Sequence, residues 1–539
     1  MKKQSRFLSP ILFVCAFAVV GANAQSFRVQ CPASTITHPN ATDNNSEPSY
    51  VGPSYAGASG YPAAQSHVNG AIKCQQISGG DGYATMGDGT QTYMFSFGPL
   101  SGLADIANGL PGTEFPNVFN NAALEPNLQP GDPATTDGAS DTGSYSAGNL
   151  GAFSFNGAIG QVVDADAQAA GLCGGTGKPS CIDGHVDSRQ IMDVGVMNGN
   201  IPAPLMAIDE DDEFFLTLTN VGMIMRPDLF EQHTVHFHGY PNASAFYDGV
   251  PDASVAINIG GSFTYYYLAP DAGTYFWHCH ITPPEHLQMG MVGQIYVRPR
   301  QNRWSGDLFT GLQQQQLDLR TKCDSKTDIL CSNPLPAVNT GASNTGAQKY
   351  AYNDGDGSTR YDVEYPLQIH GFDPNFHFVG MTFNPEGFSD MKDKYFLLNG
   401  RSYPDTVTPG PQATQTVDGS MHYSQPLNSI ISIPVGGRAL LRISDLDVTE
   451  YQTLASLGIP MQVIALNAKL LRDQEGNNMY YNTNSITLGG GESLDLILDA
   501  SDTKKYPAGS VFYLYTPNLD HLSNDAENFG GLMTEVRIN

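Results

Sequence analysis

His233-Thr-Val-His236-Phe-His238-Gly239 and Gly273-Thr-Tyr-Phe-Trp-His278-Cys279-His280-Ile-Thr-Pro-Pro-Glu-His286-Leu-Gln-Met-Gly-Met291 are the two runs on which the fold and chemistry of this chain turn. Both are rich in aromatic and β-branched residues, so both read as strands that lead into loops. Alternate side chains of a strand point to opposite faces. Cys279 therefore faces away from His278 and His280, and offsets of three and five turn His233 away from His236 and His238. Parity sorts the residues into two groups. One holds His233 and Cys279, joined by His286 and Met291 from the following loop. The other holds His236, His238, His278 and His280.

The first group is two imidazoles, a thiolate and a thioether, the donor set of a trigonal copper site with a weak axial Met. The second is all imidazole and suits copper or zinc. Because Cys279 is bonded directly to both neighbouring histidines, an electron accepted at the sulfur reaches the imidazole group through a few covalent bonds.

These motifs, H-x-x-H-x-H-G and H-C-H followed by His and Met, resemble those of the multicopper oxidases. The resemblance implies that His233, Cys279, His286 and Met291 hold a mononuclear type 1 copper. It implies that His236, His238, His278 and His280 are type 2/3 ligands. His286 follows Cys279 at an offset of seven, more than is usual in that family, and Pro283-Pro284 mark a lengthened loop. Asp248, in Asp248-Gly249-Val-Pro251, lies where the family places an acidic proton donor to oxygen; the alternative is a hydrogen-bonded turn. His286 is expected to be the ligand nearest solvent and the point where electrons enter.

The chain opens like an export signal. Lys2, Lys3 and Arg6 precede an apolar run from Phe7 to Val20, and Ala22-Asn-Ala24 supplies a small-residue cleavage site, which points to a periplasmic or secreted product. No later stretch is long and apolar enough to span a bilayer. The formal net charge is -27, and loss of the leader takes it to about -30. Such a surface repels nucleic acid and anionic membrane and favours solubility or cationic partners, so no nucleic-acid partner is expected. Of the 8 cysteines, Cys15 leaves with the signal and Cys279 is assigned to copper. Six remain for an oxidising compartment, and nearness in sequence pairs Cys31 with Cys74, Cys173 with Cys181, and Cys323 with Cys331.

Short strands separated by turn signals give an all-β sandwich or barrel expectation, and the resemblance implies two cupredoxin-like Greek-key domains. The expected divisions are a signal at 1–24, an irregular N-terminal arm at 25–90 and a copper domain at 91–300 with an insertion at about 101–185. A connection at 301–362 and a second cupredoxin-like domain at 363–539 follow. Tyr93-Met-Phe-Ser-Phe is the first convincing strand, and the acidic run Asp209–Glu213 is expected to be a solvated turn. Aligning Gly509 with Gly273 places Leu514, Tyr515 and Thr516 opposite His278, Cys279 and His280, so the second domain has no type 1 site.

A complete trinuclear cluster in the family takes eight histidines, and the remaining ones here, His38, His67, His185, His370, His377, His422 and His521, form no H-x-H pair. The missing half is then supplied by scattered histidines, a neighbouring subunit or a partner, or the site holds fewer metals. The last case resembles the trimeric copper nitrite reductases, where His238 and His278 match two ligands and His521 stands as an additional one. The functional expectation is a secreted copper oxidoreductase that draws single electrons from a small-molecule, metal-ion or redox-protein donor and reduces dioxygen to water. Its alternatives are a homotrimeric nitrite reductase-like enzyme and a non-catalytic electron-transfer or copper-binding protein.

Overall fold

The computed structural model describes residues 27, 29–53, 68–120, 199–318, 331 and 333–539, without 224–225, 227–228, 240–243, 270, 381–386 and 416–420. The leader, most of the 101–185 insertion and the Cys173–Cys181 couple lie outside the described residues. Among the described residues no helix is long and apolar enough to cross a membrane.

The first domain is two four-stranded sheets. Its strands are β1 (Ile72–Thr85), β2 (Gln91–Pro99), β3 (Met206–Asp209), β4 (Glu213–Gly222), β5 (His236–Phe237), β6 (Ser262–Leu268), β7 (Gly273–His278) and β8 (Val292–Arg298). One sheet has the order β2-β1-β4-β6 and the other β3-β8-β7-β5. Phe95, Phe97, Phe214, Leu216, Tyr265, Trp277 and Ile295 fill the space between them. The inward face of each strand is thus removed from water, which is the main force holding the layers together.

Two local expectations change. β1 starts at Ile72, inside the stretch expected to be an irregular arm, and runs 14 residues. Gly79, Gly80 and Gly82 hide it in the sequence, because glycine lowers strand propensity. They are needed because neighbours approach closely: a Cβ on Gly82 would lie 2.1 Å from the Gly199 carbonyl oxygen. The run His233–Gly239 is strand only at His236–Phe237, while His233 makes an isolated bridge to Ile257.

The acidic run is not solvated. All five residues from Asp209 to Glu213 are buried, and each has a partner. Arg300 Nε donates to Asp211 at 2.7 Å, and the Arg300 N–H donates to Glu210 at 2.7 Å. Asp212 accepts from the Ala71 N–H at 2.8 Å. Glu213 contacts His38 Nδ1 at 2.8 Å and accepts from Tyr266 at 2.6 Å. Buried carboxylates persist only when paired or hydrogen-bonded, so this run is a clasp between the N-terminal arm, the first domain and the connection. Cys31–Cys74 is a disulfide with Cα atoms 5.7 Å apart. Cys331 is also disulfide-bonded, and Cys323 lies outside the described residues.

The connection carries more structure than its composition announces: a helix at Leu308–Gln315 and short strand pairs around 343–361. The second domain is again two sheets. Strands 395–398, 363–372, 438–445, 493–499, 461–466 and 469–470 form one path. Strands 431–433, 533–538, 511–515, 452–457 and 485–488 form the other. Leu367, Ile369, Leu441, Leu454, Val463, Leu496, Leu514 and Val536 lie between them. The all-β expectation holds.

The strand β7 decides how the domains meet. Tyr275, Trp277 and Cys279 belong to the first-domain core, whereas Phe276 packs with its neighbour Val292 of β8 and with Leu446 of the second domain. On that same outer face Thr274 donates to Asp495 at 2.6 Å, and Ser493 donates to the Thr274 carbonyl at 2.7 Å. Arg442, fully buried, donates to the Thr274 hydroxyl at 3.4 Å. One face of the strand thus looks into a dry core and the other into the domain interface.

Candidate metal centre

Residues 278 and 279 are where the two faces separate. Cys279 Sγ comes together with a nitrogen of His233 and one of His286, all within 4.8 Å of one another and all buried. His286 Nδ1 lies 3.3 Å from the sulfur, and the Thr234 N–H points at it from 3.4 Å. Met291, buried in the same core, completes the lining. Pro283 and Pro284, expected to lengthen a loop, instead occupy the first positions of a short helix, Pro283–Gln288, where a missing N–H costs nothing. The loop folds back on itself. The Met291 N–H donates to the His286 carbonyl at 2.9 Å, and the Cys279 N–H to the Met291 carbonyl at 3.1 Å.

Charge organises this group. Burial opposes a thiolate at Cys279, but His286 and His233 outweigh it and hold the thiol well below its ordinary range. Burial likewise opposes a charged His286, yet Cys279 and then Glu231 lift it to about 9. Both nitrogens of His233 are buried without a hydrogen-bond partner. Orphaned buried nitrogens cost free energy, and beside a thiolate they are the donor set a copper ion takes.

His286 is fully buried, as are His233, Cys279 and Met291, so burial does not single out one of them as nearest solvent. Phe95 packs edge-on against the His286 ring at 5.1 Å, and His286 Nε2 faces the Glu231 carboxylate at 3.6 Å. Gly79 forms the roof: a Cβ there would stand 2.7 Å from His233 Cδ2 and 3.3 Å from Met291 Cε. Glu231 and Gly79 carry no motif, and only the folded chain brings them here.

The opposite face gathers His236, His238 and His278, again with nitrogens within 4.8 Å of one another. His238 Nε2 and His278 Nε2 are 2.8 Å apart. Each ring is oriented by a backbone carbonyl on its other nitrogen. His236 Nδ1 meets Asp248 O at 2.7 Å and His278 Nδ1 meets Cys279 O at 2.7 Å. His238 hydrogen-bonds the backbone of Gly491, a second-domain loop residue whose Cβ would crowd the ring at 2.9 Å. Such outer contacts fix the tautomer and leave Nε2 free to ligate. Burial, then the neighbouring rings, pushes His238 down to about 4. Burial lowers His278 to about 3. Both are neutral, the ligating form. His280 stacks at 5.6 Å on His278 and lies 5.1 Å from His236, at the margin of the group. The Asp248 carboxylate is 3.6 Å from His236 Nδ1.

The remaining described histidines are engaged elsewhere. His38 holds Glu213, and His521 lies between Gln452 at 3.0 Å and Glu450 at 3.1 Å, stacked on Phe396. His521 is not brought to His238 and His278 within the chain. His370 and His377 contact backbone carbonyls of the Cys279–Met291 loop. The His422 side chain, His67 and His185 lie outside what the structure describes.

Residues 183–302 match the family model described as "Multicopper oxidase". The chain is 32% identical over 147 residues to the laccase abr2 of Aspergillus fumigatus, covering 27% of this chain and 22% of the laccase. It is 34% identical over 114 residues to a copper-containing nitrite reductase of Rhizobium meliloti, covering 20% of this chain and 27% of the reductase. The chain thus spans about a quarter or less of these relatives' length. Among solved structures, the blue copper oxidase from Nitrosomonas europaea overlaps 63% of this chain and 78% of its own, at 22% identity and a TM-score of 0.42.

Proposed function

We propose that this chain, whose residues 183–302 match the multicopper oxidase family model, is an exported copper oxidoreductase that takes single electrons from a reducing substrate and passes them to dioxygen, yielding water. The observation that carries this reading is the adjacency of Cys279 and His278, one facing a thiolate group and the other an imidazole group across a single strand. Copper bound at these groups would supply one-electron redox chemistry at the sulfur side and reduction of oxygen at the imidazole side.

The chain's own residues do the rest. His233, Cys279, His286 and Met291 are all buried, and a preshaped ligand set of this kind would keep the cost of electron transfer low. Cys279 is joined to the second face by its peptide bonds to His278 and His280, and by the hydrogen bond from His278 Nδ1 to the Cys279 carbonyl. His236, His238 and His278 hold their Nε2 atoms together, with His280 at the margin. Asp248, beside His236, is positioned to deliver protons that oxygen reduction consumes. The engagement of His521 by Gln452 and Glu450 weighs against its serving as a ligand in the reductase-like alternative.

Copper counting with optical and paramagnetic spectra on the purified protein tests this reading. Intense blue absorption, more than one copper per chain, and oxygen uptake with a phenolic or metal-ion donor are the expected results. A single copper with no oxygen uptake overturns the oxidase in favour of a carrier. Turnover of nitrite without oxygen consumption favours the reductase.

A further inference from the structure

The second domain lacks a thiolate, yet it reaches the copper loop through a set of buried polar side chains that the proposed reaction leaves unused. They converge on one place, the carbonyl end of the helix Pro283–Gln288. A helix leaves its last four carbonyls without intrahelical partners, and here each is accounted for. Glu285 O accepts from Met289 N–H at 2.9 Å, and His286 O from Met291 N–H at 2.9 Å. Leu287 O is met by Gly290 N–H at 2.9 Å and also by His370 Nε2 at 2.9 Å. Gln288 O is met by His377 Nε2 at 2.9 Å.

His370 stands on strand 363–372 and His377 on the helix Pro374–Gly380, so both imidazoles cross the domain boundary. His377 also touches the first domain at a second point, with Nδ1 2.7 Å from the Tyr93 carbonyl of β2. Its ring stacks on Phe372 at 3.7 Å, which fixes its plane. Neutral in this buried setting, the ring donates to either carbonyl, one tautomer for each. The Gln288 side chain adds two further ties. Its Nε2 donates to Asp393 at 2.9 Å, and its Oε1 accepts from the Asp373 N–H at 3.2 Å. Finally, Gly380 leaves room for Met289: a Cβ there would lie 2.3 Å from Met289 Cε.

We propose that His370 and His377 are positioning residues for the copper loop: they cap the carbonyl end of its helix from the second domain and thereby hold His286 and Met291 in place against Cys279. The proposal rests on the reading of His286 and Met291 as ligands. An apolar side chain of similar size would fill the same space; it would leave the Gln288 carbonyl without its donor and the Leu287 carbonyl with the Gly290 N–H alone. Cap and ligand are one or two residues apart along one short turn, so a shift at the cap moves the ring of His286.

The test uses the full chain with His377→Phe, which keeps the stack on Phe372 and removes the donor, and His377→Gln, which restores one. Three readouts are followed: thiol labelling of Cys279 in copper-free protein, amide hydrogen exchange across 283–291, and the blue absorption of copper-loaded protein. H377F is expected to label about tenfold faster through loss of carbonyl hydrogen bonds. It should also raise exchange in that loop and shift the blue band, with H377Q returning each toward wild type. Folded H377F with wild-type labelling, exchange and spectrum overturns the proposal. Should H377F not fold, His370→Leu, which removes the donor from Leu287 alone, is read by the same criteria. Absence of blue absorption in the wild type refutes the copper reading, while labelling and exchange still decide whether the second domain caps the loop.

Discussion

Gly79→Ala places one methyl group against the most tightly built part of the thiolate group. The new Cβ would stand 2.7 Å from His233 Cδ2 and 3.3 Å from Met291 Cε. Carbon atoms rest about 3.5–4.0 Å apart, so the His233 ring has to retreat by roughly 1 Å. It has nowhere easy to go. Its backbone is bound to Ile257 in both directions, at 3.1 and 3.0 Å, and its ring is fully buried. Overpacking of this kind costs about 1–3 kcal/mol. With a urea dependence of order 1–3 kcal/mol per molar, the midpoint of the copper-free protein should fall by roughly 1 M. In the copper-loaded protein the displaced ligand should shift the visible spectrum. The assay is urea denaturation of both proteins without metal, followed by absorption after copper loading. An unchanged midpoint together with an unchanged spectrum would refute the idea that β1 forms the roof of the site.

Three further outcomes are expected. Cys279→Ser should abolish the blue absorption and lower copper content while the imidazole face keeps its metal, which metal analysis with paramagnetic resonance would read. Asp248→Asn should leave copper content unchanged and slow oxygen reduction by about 10²–10⁴-fold, the usual weight of one proton-transfer group, measured as oxygen uptake. Glu364→Gln removes a buried carboxylate from Arg298 and Arg442. Burial opposes its ionisation, but the two guanidinium groups outweigh that and hold it at about 2 against the ordinary 4.5. A lowered carboxylate contributes stability above its unfolded value, here about 3 kcal/mol, and the contribution is lost as pH falls from about 4.5 toward 2. The stability difference between wild type and E364Q, followed by denaturation against pH, should therefore be full at neutrality and shrink across that window.

The division of ligand-type residues between two faces was legible because it depends only on the two-residue period of a strand. His278 and Cys279 point apart wherever the strand goes, and the structure gathers them into separate groups. What escaped the sequence depended on long-range cover. Asp209–Glu213 looks like a solvated turn until Arg300, His38 and Ala71 close over it. β1 was hidden by the glycines that let Gly199 and His233 approach. The short helix at Pro283–Gln288 was obscured by its two prolines, which mark a break in mid-helix and a start at the first turn. In the sequence His370 and His377 stand among the histidines available to complete a cluster. Their partners are carbonyls lying 83 and 89 positions earlier in the chain, which no local pattern reveals.

The complete burial of Cys279 and His286 has a bearing on how metal is gained and lost. A chelator in solution cannot touch either residue while the Pro283–Gln288 turn is closed. Removal of metal from this face is then paced by transient opening of the chain, so its rate should level off as chelator concentration rises. His236 and His280, being partly exposed, should give up metal in proportion to the amount of chelator supplied.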